Sequence, residues 1–140
     1  MINKIPADIA AIADQAAQLA DVDAVYLFGS FAAGSPHKDS DIDIGILSSE
    51  SSMTERDIYR RLPRQTSTGR QIDYRILNSS KSPAFLSRAV IKGIPLKVND
   101  ETRRAGFESL ALRMWNDWQF KLKIQEDYQR RFLLSKQPKS

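Results

Sequence analysis

Between Ser40 and Leu47 the chain reads SDIDIGIL, and no other stretch restricts its fold so tightly. Ile42, Ile44 and Ile46 share one parity, while Asp41 and Asp43 share the other. Successive side chains of an extended chain point to opposite sides, so this pattern describes a strand with one buried face and two carboxylates on the other. The two aspartates then lie about 7 Å apart at Cα. Upstream, DAVYLF (23–28) is short, apolar and rich in strand formers, and it leads straight into Gly29-Ser30. Downstream, QIDYRIL (71–77) alternates again, with Ile72, Tyr74 and Ile76 on one side and Asp73, Arg75 and Leu77 on the other.

Helical spacing fills the intervals between these strands. Residues 6–20 carry Pro6 near the start, Asp8 in the first turn and Ile9, Ile12, Ala16 and Leu19 as an apolar stripe. A brief helical turn is expected at 30–33, and Gly34, Ser35 and Pro36 then form a loop. Thr54, with Glu55 and Asp57 behind it, opens a helix to about Leu62. Ser82 and Pro83 start another, stopped by Gly93. IPLKVN (94–99) reads as a fourth strand, and Asp100 caps a long C-terminal helical region. We expect that region to bend or break near Gly106 or Trp115 and to fray from Leu134 to Ser140. The expected architecture is one α/β (α+β) domain over 1–140, a small mixed β-sheet flanked by helices.

Composition removes several kinds of chemistry. The 140 residues include no cysteine and a single histidine, His37, so thiolate zinc sites, cysteine nucleophiles and multi-histidine metal centres are excluded. Any metal must be held by oxygens. No stretch of about 18 apolar residues is present, and the N-terminus has no signal-peptide pattern, so a cytoplasmic protein without a membrane span is expected. Charge is polarised along the chain. Residues 1–50 hold two basic and eight acidic side chains, while residues 51–140 hold 19 basic and nine acidic ones. An acidic functional cluster early and a basic surface later are the expected reading, although most single Lys and Arg residues belong to solvated helix faces. No nucleic-acid-binding motif accompanies the basic half, so direct specific binding of nucleic acid is not expected.

Three features converge on one chemistry. Gly29-Ser30 lies between a strand and a helical turn, where free backbone N–H groups can hold phosphate oxygens. Glycine allows close approach of a ligand, and the serine hydroxyl adds a donor. Asp41 and Asp43 project from one strand face, and Asp73 lies on the polar parity of another strand. Crowded carboxylates repel unless a cation neutralises them, and hard oxygen ligands suit Mg²⁺ completed by substrate phosphates. A phosphate cradle beside such a cluster serves in-line phosphoryl or nucleotidyl transfer. The bland alternatives are a solvent-facing strand edge for Asp41 and Asp43, and for Asp73 a surface ion pair with Arg75 or Arg70.

The segment GSFAAGSPHKDSDID followed by QID resembles the signature of the polymerase-beta-like nucleotidyltransferases: GS, ten residues, then DxD, with a later lone Asp. Length and spacing are similar to the minimal nucleotidyltransferases (MNT), above all the MNT antitoxins of HEPN/MNT toxin–antitoxin modules. The likeness is specific over residues 25–47, reasonable over 71–77 and looser beyond. It implies the nucleotidyltransferase fold, with Asp41, Asp43 and Asp73 as catalytic metal ligands and Asp73 also as base toward the acceptor hydroxyl. It implies nucleotide binding by Gly29, Ser30 and Ser40, two Mg²⁺ ions, and ATP as co-substrate. The implied reaction transfers AMP from ATP to a tyrosine of a cognate HEPN ribonuclease toxin, which silences it. Ala33 departs from the pattern, standing where relatives often carry a long polar residue, and the expected consequence is weaker nucleotide binding. The competing readings are an antitoxin that occludes its toxin without catalysis, and a small-molecule nucleotidyltransferase of the aminoglycoside-modifying kind. Trp115, Trp118 and Phe120 are expected to pack the last helix against the sheet, with a partner-binding patch as the alternative.

Overall fold

The four apolar runs become four strands of one sheet in the computed structural model, which describes residues 5–32, 41–50, 52–77 and 93–137. In chain order they are β1 (Val22–Phe28), β2 (Ile42–Ser48), β3 (Ile72–Ile76) and β4 (Ile94–Val98). Their spatial order is β3-β2-β1-β4. β1 runs antiparallel to both β2 and β4, whereas β2 and β3 are parallel, so the sheet is mixed as expected. The helices are α1 (Ala7–Ala17), the single turn α2 (Gly29–Ala32), α3 (Glu55–Arg61) and α4 (Glu101–Ser135). Thr54 caps α3 as expected, and does so through a reciprocal box: its side chain accepts from Asp57 N–H while Asp57 accepts from Thr54 N–H.

Alternation dictates how the sheet is covered. Val25 and Leu27 of β1, Ile42, Ile44 and Ile46 of β2, and Ile72, Tyr74 and Ile76 of β3 pack under α1 and α3 against Ile9, Ile12, Ala16 and Ile58. Each fully buried Ile or Leu contributes about 1.5–3 kcal/mol through removal of apolar surface from water, before chain entropy is charged against it. The opposite parity forms a smaller cluster of Ala24, Tyr26, Phe28, Leu47 and Leu77, against which Phe107 of α4 packs. Within it Gly45 has no room for a side chain, because a Cβ there would overlap the Phe28 ring and Leu77.

The end of β4 is knotted to the rest of the fold. Asn99 donates to the carbonyls of Ala17 and Val22, at 2.8 and 2.9 Å. The backbone N–H groups of Asn99 and Asp100 both reach the Asp23 carbonyl. The buried Asp23 carboxylate is met by Arg103 Nε at 2.5 Å. Asp100 caps α4 by accepting from Arg103 N–H, as expected. Arg104 bridges to Glu101 and to Glu108, so Arg103 and Arg104 both take part in ion pairs at the start of α4.

The last helix corrects two expectations. It runs unbroken from Glu101 to Ser135, through both Gly106 and Trp115. One exposed glycine costs a helix only about 1 kcal/mol, and the Arg104–Glu108 pair spans the position. Nor are Trp115, Trp118 and Phe120 buried against the sheet, where Phe107 packs instead. Ala111 is its one buried residue, and Phe120, Ile124, Tyr128 and Phe132 are all more than half exposed. Trp115 and Trp118 pack on each other at a tilt of 31°, with ring centroids 5.2 Å apart. Despite its length, neither this helix nor any other among the described residues is apolar enough to cross a membrane. The expected helix from Ser82 to Lys92, the loop with Ala33 and His37, Ser40, and residues 138–140 lie outside the described residues.

Candidate active site

The mixed topology brings two of the three expected carboxylates into register. β2 and β3 pair with Asp43 directly opposite Asp73, and both belong to the parity that faces away from the α1/α3 core. Residues paired across parallel strands project to the same side, so both carboxylates rise from neighbouring positions on that face. Asp41 shares their parity, is exposed, and immediately precedes β2. Among the described residues no three acidic or imidazole side chains converge on one point. The donor set therefore fits a hard divalent cation that takes one or two carboxylates and completes its shell with phosphate oxygens or water.

Gly29 closes the site from the β1 side. Phe28, the last residue of β1, pairs with Asp43, so the chain turns into α2 beside that carboxylate. Gly29 adopts φ +73°, in the left-handed region that side chains disfavour. A Cβ there would overlap Asp43 Oδ2 and lie 3.5 Å from Asp43 Cγ. The glycine is thus required twice, once by backbone conformation and once by the carboxylate against it. The backbone of Ser30 continues α2, but its side chain lies outside the described ones, and the nucleotide-binding expectation for Ser40 falls outside them altogether.

Asp73 is held from the outer edge of the sheet. β3 would leave unpaired N–H groups there, and the connection before it and helix α3 supply acceptors instead. The Ile72 N–H reaches the Arg64 carbonyl at 2.9 Å, the Tyr74 N–H reaches the Tyr59 hydroxyl at 3.0 Å, and the Ile76 N–H reaches Glu55 Oε1 at 3.3 Å. The Tyr59 hydroxyl in turn donates to Asp73 Oδ1 at 2.9 Å, and Arg75 Nε stands 3.7 Å from Oδ2. Arg75 is therefore the ion-pair neighbour of Asp73 that the sequence left open. Both members are substantially exposed, so that pair is weak. Burial pushes the Tyr59 phenol above its ordinary value. Residue reading missed Tyr59. The one available signal was its place in the helix that Thr54 opens, which says nothing of the strand edge it meets.

A sequence profile described as "Polymerase beta, Nucleotidyltransferase" matches residues 10–102, about two thirds of the chain and the whole of the site. No curated protein matches the sequence significantly. Solved structures match the fold at low identity. A toxin–antitoxin structure with AMP-PNP superposes with a TM-score of 0.65 at 20% identity, over 87% of this chain and 97% of that one. The MntA–HepT toxin–antitoxin structure gives 0.58 at 19%, over 79% and 86%. A complex of tri-AMPylated Shewanella oneidensis HEPN toxin with its MNT antitoxin gives 0.58 at 20%, over 78% and 83%.

Proposed function

The chain belongs to the polymerase beta nucleotidyltransferase family, and from that premise we propose that it is an MNT-type antitoxin that transfers AMP from ATP to a tyrosine hydroxyl of a HEPN ribonuclease toxin. The observation that carries the reading is the pairing of Asp43 with Asp73 on one sheet face, with the Gly29 turn closed against Asp43. Similarity to antitoxins solved with a nucleotide analogue and with an AMPylated HEPN toxin supports the choice of donor and acceptor.

In this reading the triphosphate lies along the backbone turn at Gly29 and Ser30, with Ser40 as a further contact and the α-phosphorus over the acids. The acceptor oxygen forms a bond to the α-phosphorus as the bond to the bridging oxygen of the β-phosphate breaks, so pyrophosphate leaves and AMP remains on the acceptor. The acceptor's proton passes to the Asp73 carboxylate. Asp41, Asp43 and Asp73, together with phosphate oxygens, would hold two Mg²⁺ ions, which would supply charge neutralisation at the reacting phosphate. The acceptor arrives on another protein. Helix α4 is rooted on the acid-bearing face through Phe107, and beyond Ala111 it offers Phe120, Ile124, Tyr128 and Phe132 at four-residue spacing. Such an uncovered apolar ridge is suited to docking the toxin beside the site.

The test is intact-mass spectrometry of the cognate HEPN protein after incubation with ATP, Mg²⁺ and this chain. Addition of AMP units to a tyrosine, blocked by EDTA and by Asp41→Asn, is the expected result. An unmodified toxin that is nevertheless inhibited stoichiometrically would assign neutralisation to occlusion.

A further inference from the structure

We propose that Tyr59 is a positioning residue for Asp73, fixing the carboxylate through the hydrogen bond from its hydroxyl; this rests on the reading of Asp73 as the group that takes the acceptor's proton.

The geometry is determined at both ends of the phenol. Its oxygen accepts the Tyr74 N–H at 3.0 Å, and its single proton goes to Asp73 Oδ1 at 2.9 Å. Because a backbone N–H occupies one lone pair, the hydroxyl is oriented and its proton committed. The ring cannot swing away. It meets Tyr74 edge-on with centroids 5.2 Å apart, lies under the Arg64 guanidinium at 5.6 Å, and packs against the main core. Tyr74 is itself anchored by donating to the Pro63 carbonyl at 2.6 Å.

Asp73 needs such a holder. Its side chain is 46% exposed on an edge strand, and its register partner is another carboxylate. Like charges so placed repel, and a short exposed side chain otherwise samples several rotamers. The hydrogen bond uses one oxygen and leaves the remaining lone pairs for the reaction. A carboxylate oriented in advance loses less on reaching the reactive arrangement, which is how a residue that touches no substrate alters turnover.

Tyr59→Phe keeps the ring and removes the tether. In the AMP-transfer assay with ATP, Mg²⁺ and the HEPN protein, its turnover is expected to fall about 10–100-fold, the range typical of residues that orient a functional ligand, with the KM for ATP within about twofold. Tyr59→Phe combined with Asp73→Asn is expected within about twofold of Asp73→Asn alone, because the tether then has nothing to hold. Glu55→Ala, which removes an edge acceptor that does not touch Asp73, is expected to leave turnover unchanged. A crystal structure of Tyr59→Phe supplies a readout independent of turnover, and the Asp73 carboxylate is expected to leave its present place. An unmoved carboxylate, full turnover in Tyr59→Phe, or a further loss on top of Asp73→Asn each overturns the proposal. Full turnover in Asp73→Asn instead overturns the assigned role of Asp73.

Discussion

The two faces of the sheet are built from the same strands and do opposite work. One face is closed, with Ile42, Ile44 and Ile46 of β2 buried under α1 and α3. The other carries Asp43 of the same strand and Asp41 just before it, one residue out of phase with the isoleucines, and Asp73 alongside. Stability is concentrated where water is excluded, whereas charge collects where water and ligand can reach. A single strand therefore serves both ends with alternate residues, and a one-residue slip in its register would destroy both at once.

Substitutions on adjacent positions of β2 separate the two faces most sharply. Asp43→Asn keeps the shape of the side chain and removes the charge. AMP transfer is expected to drop on the order of 10³-fold, about 4 kcal/mol of barrier, with the urea midpoint nearly unchanged. Its neighbour Ile44→Ala leaves a cavity in the closed face. A loss of about 2–5 kcal/mol in unfolding free energy is expected, with transfer per folded molecule retained. If Asp43→Asn unfolds the chain, or Ile44→Ala silences a folded enzyme, the division between the faces fails.

Gly29→Ala tests the point where backbone and charge meet. At φ +73° an alanine costs about 1–2 kcal/mol, and its Cβ displaces the Asp43 carboxylate. Both stability and transfer are expected to fall, the only one of these variants to lose both. Circular dichroism with the mass assay on the same preparation checks this.

The smallest effect expected is alkaline. Burial raises the phenol of Tyr26 on the acid-bearing side, and the Glu108 carboxylate that accepts its proton at 2.8 Å raises it further. Burial raises Tyr74 on the closed side in the same way. Each favours the neutral form when folded, so the stabilisation is complete below the ordinary value of 10.0 and is lost as pH rises above it. Urea midpoints at pH 8 and pH 11 should diverge, and Tyr26→Phe should narrow the gap.

Legibility in the sequence followed the range of the interaction. Thr54 and Asp100 were readable as caps because a cap joins residues three apart. Gly29 was readable as a turn after a strand, but the sequence did not reveal that its missing side chain makes room for Asp43, 14 positions away. Trp115, Trp118 and Phe120 suggested packing on the sheet, and the helix that carries them leaves the sheet after Ala111 instead. Aromatic residues at helical spacing state that a surface is to be covered without stating by what.

The sequence by itself determined the parity of β2 and β3, and with it the fact that Asp41 and Asp43 share a face that Ile42, Ile44 and Ile46 do not. Parity is a property of the extended backbone over two residues, and no partner is needed to set it. Only the tertiary structure decided that β2 and β3 run parallel with Asp43 opposite Asp73, and that α3 returns along the open edge of β3 to place the Tyr59 hydroxyl on Asp73. Register, edge and crossing are settled by which apolar surfaces can be buried together, a sum over the whole core that no local spacing contains.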